Sequence, residues 1–196
     1  HANLWFEDGN IILATSFSVF RVHRGVLSIN SPVFADTFSL PQPDTIENTF
    51  EGASVVDMCD DDELAHLLHV IYDRRYYRGG SETSFDKISA LLRMSTKYQV
   101  DDLRNEIISH LALAYPSTLE KYMEAVDPKT QLSLFPSFTG QHFAVAGLAR
   151  ETNANILLPA ALWRSSCESM DDILNGIQDL SGSLHRLPET DMRLCV

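Results

Sequence analysis

Four side chains have the types and spacing to hold a divalent metal ion: Asp62, His66, His69 and Asp73 recur at intervals of four, three and four. On a helix that spacing stacks imidazole and carboxylate donors along one face, where a bound cation could activate water for hydrolysis. The same face lies largely opposite Leu64, Leu67, Leu68 and Ile71, where the solvated side of any amphipathic helix falls. Cys59 precedes the helix, and no second thiol accompanies it. The expectation is therefore a polar face without a metal, a cofactor or a catalytic residue, and a metal-dependent hydrolase stands only as the alternative from another class.

Other signatures of catalysis are missing from the sequence. It contains no G-x-S-x-G elbow, no phosphate-binding G-x-x-x-x-G-K-[ST] loop, no G-x-G-x-x-G after a strand and no H-E-x-x-H. Eight carboxylates between Asp44 and Glu63 have no Lys or Arg among them, which suits a solvated loop and helix start or a docking face for a basic partner. Arg74-Arg75-Tyr76-Tyr77-Arg78 answers with cations and rings, expected to pack locally or to pair with acidic loops. His23 lies in Phe20-Arg21-Val22-His23-Arg24, where alternation sets Phe20 and Val22 against Arg21 and His23. With no nucleophile or second ligand close by in sequence, His23 is expected to be a structural histidine that donates one hydrogen bond and accepts another.

The elements that must position these residues change character along the chain. Asp8-Gly9-Asn10 marks a turn between apolar pieces, and with Ile11-Ile12-Leu13 and Val19 to Val22 it predicts a hairpin or meander. Ser31-Pro32 reads as a helix cap followed by proline at the first helical position, with Val33, Phe34, Ala35 and Phe38 on the buried face. Ala53 to Met58 favours a strand. From residue 60 the period becomes helical: Leu64 to Tyr72, a helix capped by Thr83 and Asp86 with Ile88, Leu91, Leu92, Ser95 and Tyr98 on its seam, and a third from Asp101 through Leu103, Ile107 and Leu111. After Pro116 the prediction is helical throughout: a helix capped by Ser117 and Glu120 with the stripe Leu119, Tyr122, Met123 and Val126, then Gln141 to Glu151, about Asn153 to Glu168 broken or restarted at Pro159, and Asp171 to Leu180. The expected domains are residues 1 to 115, a small sheet covered by helices, and 116 to 196, an all-helical extension.

With 196 residues the chain can bury a core without disulfides or metals. The excess of 27 acidic over 15 basic residues, a net charge of −12, repels a phosphate backbone and an anionic membrane, so no nucleic acid and no membrane is expected as a partner of this segment. Three scattered cysteines, no C-x-x-C and no visible signal peptide suit an intracellular setting, cytoplasmic or nuclear. His1 at the start and Leu194-Cys195-Val196 at the finish suggest a fragment whose extension is truncated.

Taken together, Asp8-Gly9-Asn10-Ile11-Ile12-Leu13, Phe20 to Leu27 and Ser31-Pro32-Val33-Phe34-Ala35-Asp36-Thr37-Phe38 resemble the core signature of the BTB/POZ domain. Leu67 to Tyr72 and Leu91 to Leu103 are similar to that family's later helices, so the resemblance covers about residues 4 to 115. The tail, with Leu148 to Glu151 and Leu158 to Trp163, resembles the extensions of fungal BTB proteins. The resemblance implies an α+β fold, no enzymatic activity, and a protein-protein interaction module acting as a homotypic or adaptor domain. It implies that His23, Ser31 and Phe34 belong to the structural motif, and that Asp8 and Arg24 form a charged pair at a dimer interface. Only seven residues precede Asp8, so the upstream element that dimerising members exchange is expected to be missing or truncated. A further implication is a substrate adaptor for a cullin-based ubiquitin ligase; the loop that would carry its hydrophobic-x-Glu motif reads Leu40-Pro41-Gln42-Pro43-Asp44-Thr45-Ile46-Glu47, where Thr45 replaces the hydrophobic residue.

Overall fold

The computed structural model describes residues 1–40, 49–58, 63–129 and 134–196. By their contacts these divide into two units, His1–Arg78 with Met94–Arg104, and Gly79–Arg93 with Asn105–Val196.

In the first unit, β-branched and aromatic residues make a four-stranded sheet. Strands β1 (Ile11–Ala14) and β2 (Val19–Val22) pair antiparallel with Ile11 opposite Val22 and Ala14 opposite Val19. Thr15 closes the hairpin, its hydroxyl accepting from Ser18 N at 3.0 Å. Strand β4 (Ala53–Asp57) runs parallel beside β1, and β3 (Thr49–Phe50) pairs antiparallel with β4. The turn between β3 and β4 is Glu51-Gly52, both at positive φ (50° and 78°), the two-residue geometry that matches strand twist. Strand order is thus β2-β1-β4-β3. Ile12, Leu13, Phe20 and Val22 are fully buried, and Trp5 adds a parallel bridge to Arg21.

Helices α1 (Arg24–Asn30), α2 (Pro32–Ser39) and α3 (Glu63–Tyr72) lie wholly within this unit, which also takes in Met94–Arg104. Leu64, Leu67 and Leu68 of α3 are buried, as their spacing predicts. Helix α4 (Phe85–Lys97) follows, with Ile88, Leu91, Leu92 and Ser95 buried. Its cap sits one residue later than the predicted Thr83: the Ser84 hydroxyl accepts from Lys87 N at 3.2 Å. Gln99, at φ 52°, turns the chain into α5 (Asp101–Ala112), where Leu103, Ile107 and Leu111 are buried.

In the second unit, α6 (Leu119–Val126) is followed by α7 (Gln141–Glu151), a 3-10 turn at Asn155–Leu157 and α8 (Leu158–Ser165). Helices α7 and α8 pack against each other, and Phe143, Val145, Ala146 and Ala149 of α7 and Ala160 and Ala161 of α8 are buried. Pro159 lies in the first turn of α8, which satisfies the predicted restart. Helix α9 (Met170–Asn175) precedes a small hairpin of β5 (Ile177–Gln178) and β6 (Leu184–His185), and α10 (Glu189–Cys195) ends the described chain.

Two local expectations fail here. The helix predicted from Asp171 to Leu180 stops at Asn175, because Gly176 takes φ 85° with its backbone pressed against β6, where a Cβ would lie 2.7 Å from His185 O. The hairpin so formed is a short interruption in the otherwise helical extension. In α6, half of the predicted stripe faces solvent: Leu119 is 74% and Met123 60% exposed, while Tyr122 and Val126 are half-buried, and Thr118 at the N-terminus makes no side-chain cap.

Candidate interaction surface

A turn, a strand end and a helix start meet at Asp8, His23 and Arg24. Gly9 makes the turn possible: a Cβ there would lie 2.9 Å from Arg21 Cγ and 3.0 Å from the carbonyls of Phe6 and Val22. Asn10 N then donates to Val22 O at 3.0 Å, and the Asn10 side-chain oxygen accepts from Arg24 N at 2.8 Å, satisfying an orphan N–H of α1. His23 precedes α1, and its ring contacts Asp8 Oδ1 through Nε2 and the Tyr72 hydroxyl through Nδ1, both at 3.2 Å. The Tyr72 oxygen already accepts from His23 N at 2.8 Å. Its own proton is therefore free to go to Nδ1, which leaves Nε2 as the protonated nitrogen that donates to the carboxylate. Burial, foremost, pushes the Tyr72 hydroxyl pKa up, so it remains protonated in this role. Phe6 stacks on Tyr72 with centroids 4.7 Å apart and closes one side of the imidazole.

The carboxylate of Asp8 is 84% exposed, whereas the His23 ring is largely covered. Asp8 thus reaches His23, while the Arg24 guanidinium lies over the Phe38 ring at 5.4 Å. Along α1, Gly25 leaves open space where a side chain would be, and Ile29 one turn further is 87% exposed.

Ser31 and Phe34 join different parts of the same unit. The Ser31 hydroxyl accepts from Phe34 N at 3.1 Å, capping α2, and donates to Tyr98 O at 2.6 Å. Phe34 stacks almost parallel on Tyr98, 4.3 Å between centroids, and on Phe38 at 5.7 Å. Ser31 and Phe34 are both fully buried.

Three of the four polar residues, His66, His69 and Asp73, are described, and each has a local partner. His66 Nδ1 is 2.6 Å from the Tyr76 hydroxyl, and His69 stacks on the Tyr76 ring at 4.8 Å. Asp73 binds Arg75 through its backbone N and guanidinium at 2.9 and 3.0 Å, which holds the Asp73 carboxyl below the usual carboxylate range. Asp62 lies outside the described residues, as do Cys59 and all of the Leu40–Glu47 loop except Leu40. Among the described residues no three His, Cys, Asp or Glu side chains are grouped to hold a metal, and no helix is long and apolar enough to cross a membrane.

Sequence reasoning named His23, Ser31 and Phe34 but not their partners. Tyr72 is 49 residues from His23 and Tyr98 is 67 from Ser31, and each reads in sequence only as an apolar position on a helix seam. Asn10 reads in sequence as a turn residue, and its cap on Arg24 carries no local signal.

A model of the BTB/POZ domain matches residues 8–113, a little over half of the chain. The chain belongs to the BTB/POZ domain family. No curated protein matches it. BTB/POZ domains are in general protein-protein interaction modules rather than enzymes, and the matched stretch spans the sheet and helices α1 to α5. Asp8, the first matched residue, and the signature from His23 to Phe38 lie within it.

Proposed function

We propose that this BTB/POZ domain is a homotypic or adaptor module working inside the cell, that its interaction face is centred on Asp8, Arg24 and the outer side of α1, and that residues 116 to 196 extend it. The observation that supports this reading is Ile29, 87% exposed on a helix whose preceding turn presents a bare Gly25. A β-branched side chain standing in water beside a glycine offers a second backbone close approach and about 1.5 to 3 kcal/mol of burial when covered. The exposed Asp8 carboxylate and the Arg24 cation at the same end give that approach a polar register.

Light scattering over a concentration series tests this reading. The wild-type mass should climb from monomer toward dimer, and Asp8→Asn and Ile29→Glu should move the transition to higher concentration while circular dichroism stays unchanged. A strict monomer at every concentration, or an Asp8→Asn variant that associates like the wild type, removes the homotypic reading and leaves a monomeric adaptor.

A further inference from the structure

Two thiols far apart in sequence converge on one helix end in the second unit. Cys167 Sγ lies 3.4 Å from the carbonyl oxygen of Trp163, and Cys195 Sγ lies 3.5 Å from that of Leu162. These are successive carbonyls in the last turn of α8, and successive carbonyl oxygens of an α-helix are about 3.5 Å apart. The two sulfurs are therefore within about 10 Å of each other. Cys167 stands exposed in the turn between α8 and α9, and Cys195 is half-buried at the end of α10. We propose that Cys167 and Cys195 are a reversible oxidation site, forming an intrachain disulfide that fastens α10 to the C-terminal end of α8.

The exposed thiol is the one a small oxidant meets. The Cys167 thiolate attacks one oxygen of hydrogen peroxide; the O–O bond breaks, the sulfur becomes a sulfenic acid, and the departing hydroxide takes up a proton as water. Cys195 then loses its proton and attacks the sulfenic sulfur, the S–S bond forms, and a second water leaves. Two thiols and one peroxide become one disulfide and two waters. Burial, with the charge of Asp191, raises the thiol pKa of Cys195, which disfavours its direct reaction with peroxide and sets the order of the two steps. Closing the bond takes rotation of both side chains and a shift of the exposed 166–169 turn, because Cα atoms joined by a disulfide sit about 5.5 to 6 Å apart.

The test is peptide mapping of the folded wild-type protein after hydrogen peroxide, with free thiols blocked by N-ethylmaleimide before unfolding. Trypsin cuts after Arg164, Arg186 and Arg193, so the proposed bond joins the peptide 165–186 to the peptide that begins at Leu194. The expected result is that linked pair as the main oxidised species, lighter by two hydrogens and restored by dithiothreitol, and a dimedone-reactive Cys167 when Cys195→Ser removes its partner. The proposal is overturned if Cys167 is oxidised while Cys195 still takes up N-ethylmaleimide, if the main bond involves Cys59, or if the link forms only between two chains.

Discussion

His23 spends both ring nitrogens and its backbone N–H on two partners, Asp8 and Tyr72, and so ties the turn before β1 and the end of α3 to the start of α1. Replacing it with alanine leaves the Tyr72 hydroxyl without its acceptor. A lost partner of that kind costs about 1 to 3 kcal/mol, so His23→Ala should lower the melting temperature; an unchanged melting curve would sink the structural role. A second histidine predicts a pH dependence. His142 Nδ1 is 3.0 Å from the Tyr115 hydroxyl, and the Arg164 guanidinium lies 5.0 Å from the Tyr115 ring. Burial first, and then the charge of Arg164, lowers the His142 pKa from 6.5 to about 4. A base whose folded pKa is depressed stabilises the fold fully above its unfolded value, and that contribution is lost as pH falls from 6.5 toward 4. His110, lowered by burial, acts in the same direction. Urea midpoints should therefore fall between pH 7 and pH 4.5, and His142→Gln should flatten the slope while leaving the part due to His110. An equal slope in wild type and variant would contradict this account. The partners of neither histidine can be read in sequence, where His23 lies between Val22 and Arg24 and His142 between Gln141 and Phe143.

At the scale of elements, periodicity identified helices better than it identified their buried faces. The seam of α5 is buried at Leu103, Ile107 and Leu111, and the spacing in α6 is equally regular, yet Leu119 and Met123 of α6 face solvent. A hydrophobic stripe records what a helix could cover, and tertiary packing decides whether a neighbour arrives. Stability should separate the two cases. Leu119→Ala should change unfolding free energy by less than about 0.5 kcal/mol, whereas Ile107→Ala should cost about 2 to 5 kcal/mol. Chemical denaturation of both variants checks this, and a large loss from Leu119→Ala would show that α6 is covered in solution. Helix α9 is shorter than its sequence pattern predicts for a related reason: Gly176 could have continued a helix at a modest cost, but its positive φ and the nearness of His185 and Arg186 belong to the hairpin.

At the largest scale, the Arg150–Asp191 ion pair secures the last described helix. Arg150 at the end of α7 donates to both carboxylate oxygens of Asp191, Nε to Oδ2 at 3.0 Å and Nη2 to Oδ1 at 2.6 Å. Asp191 is fully buried while Arg150 is 42% exposed, so losing the acid strands a cation that water partly reaches. Asp191→Ala should cost about 2 kcal/mol, below the full value for a completely buried pair, and should free α10 for early hydrogen exchange. Exchange of the amides of 189–195 at the wild-type rate would refute that tie.

The sequence by itself determined the family signature, the hairpin at its start, the Ser31 cap, the buried seams of α3, α4 and α5 and the limits of α7, because each depends on residues within a few turns of one another. Tertiary structure alone decided that Tyr72 completes His23, that Tyr98 receives the Ser31 hydroxyl, that His66 and His69 turn to Tyr76, and that Cys167 and Cys195 share the end of α8. Those contacts close loops of up to 67 residues, and local propensity carries no record of which distant group will fill a hydrogen bond. Only the chain's return to the same place in space brings donor and acceptor within reach.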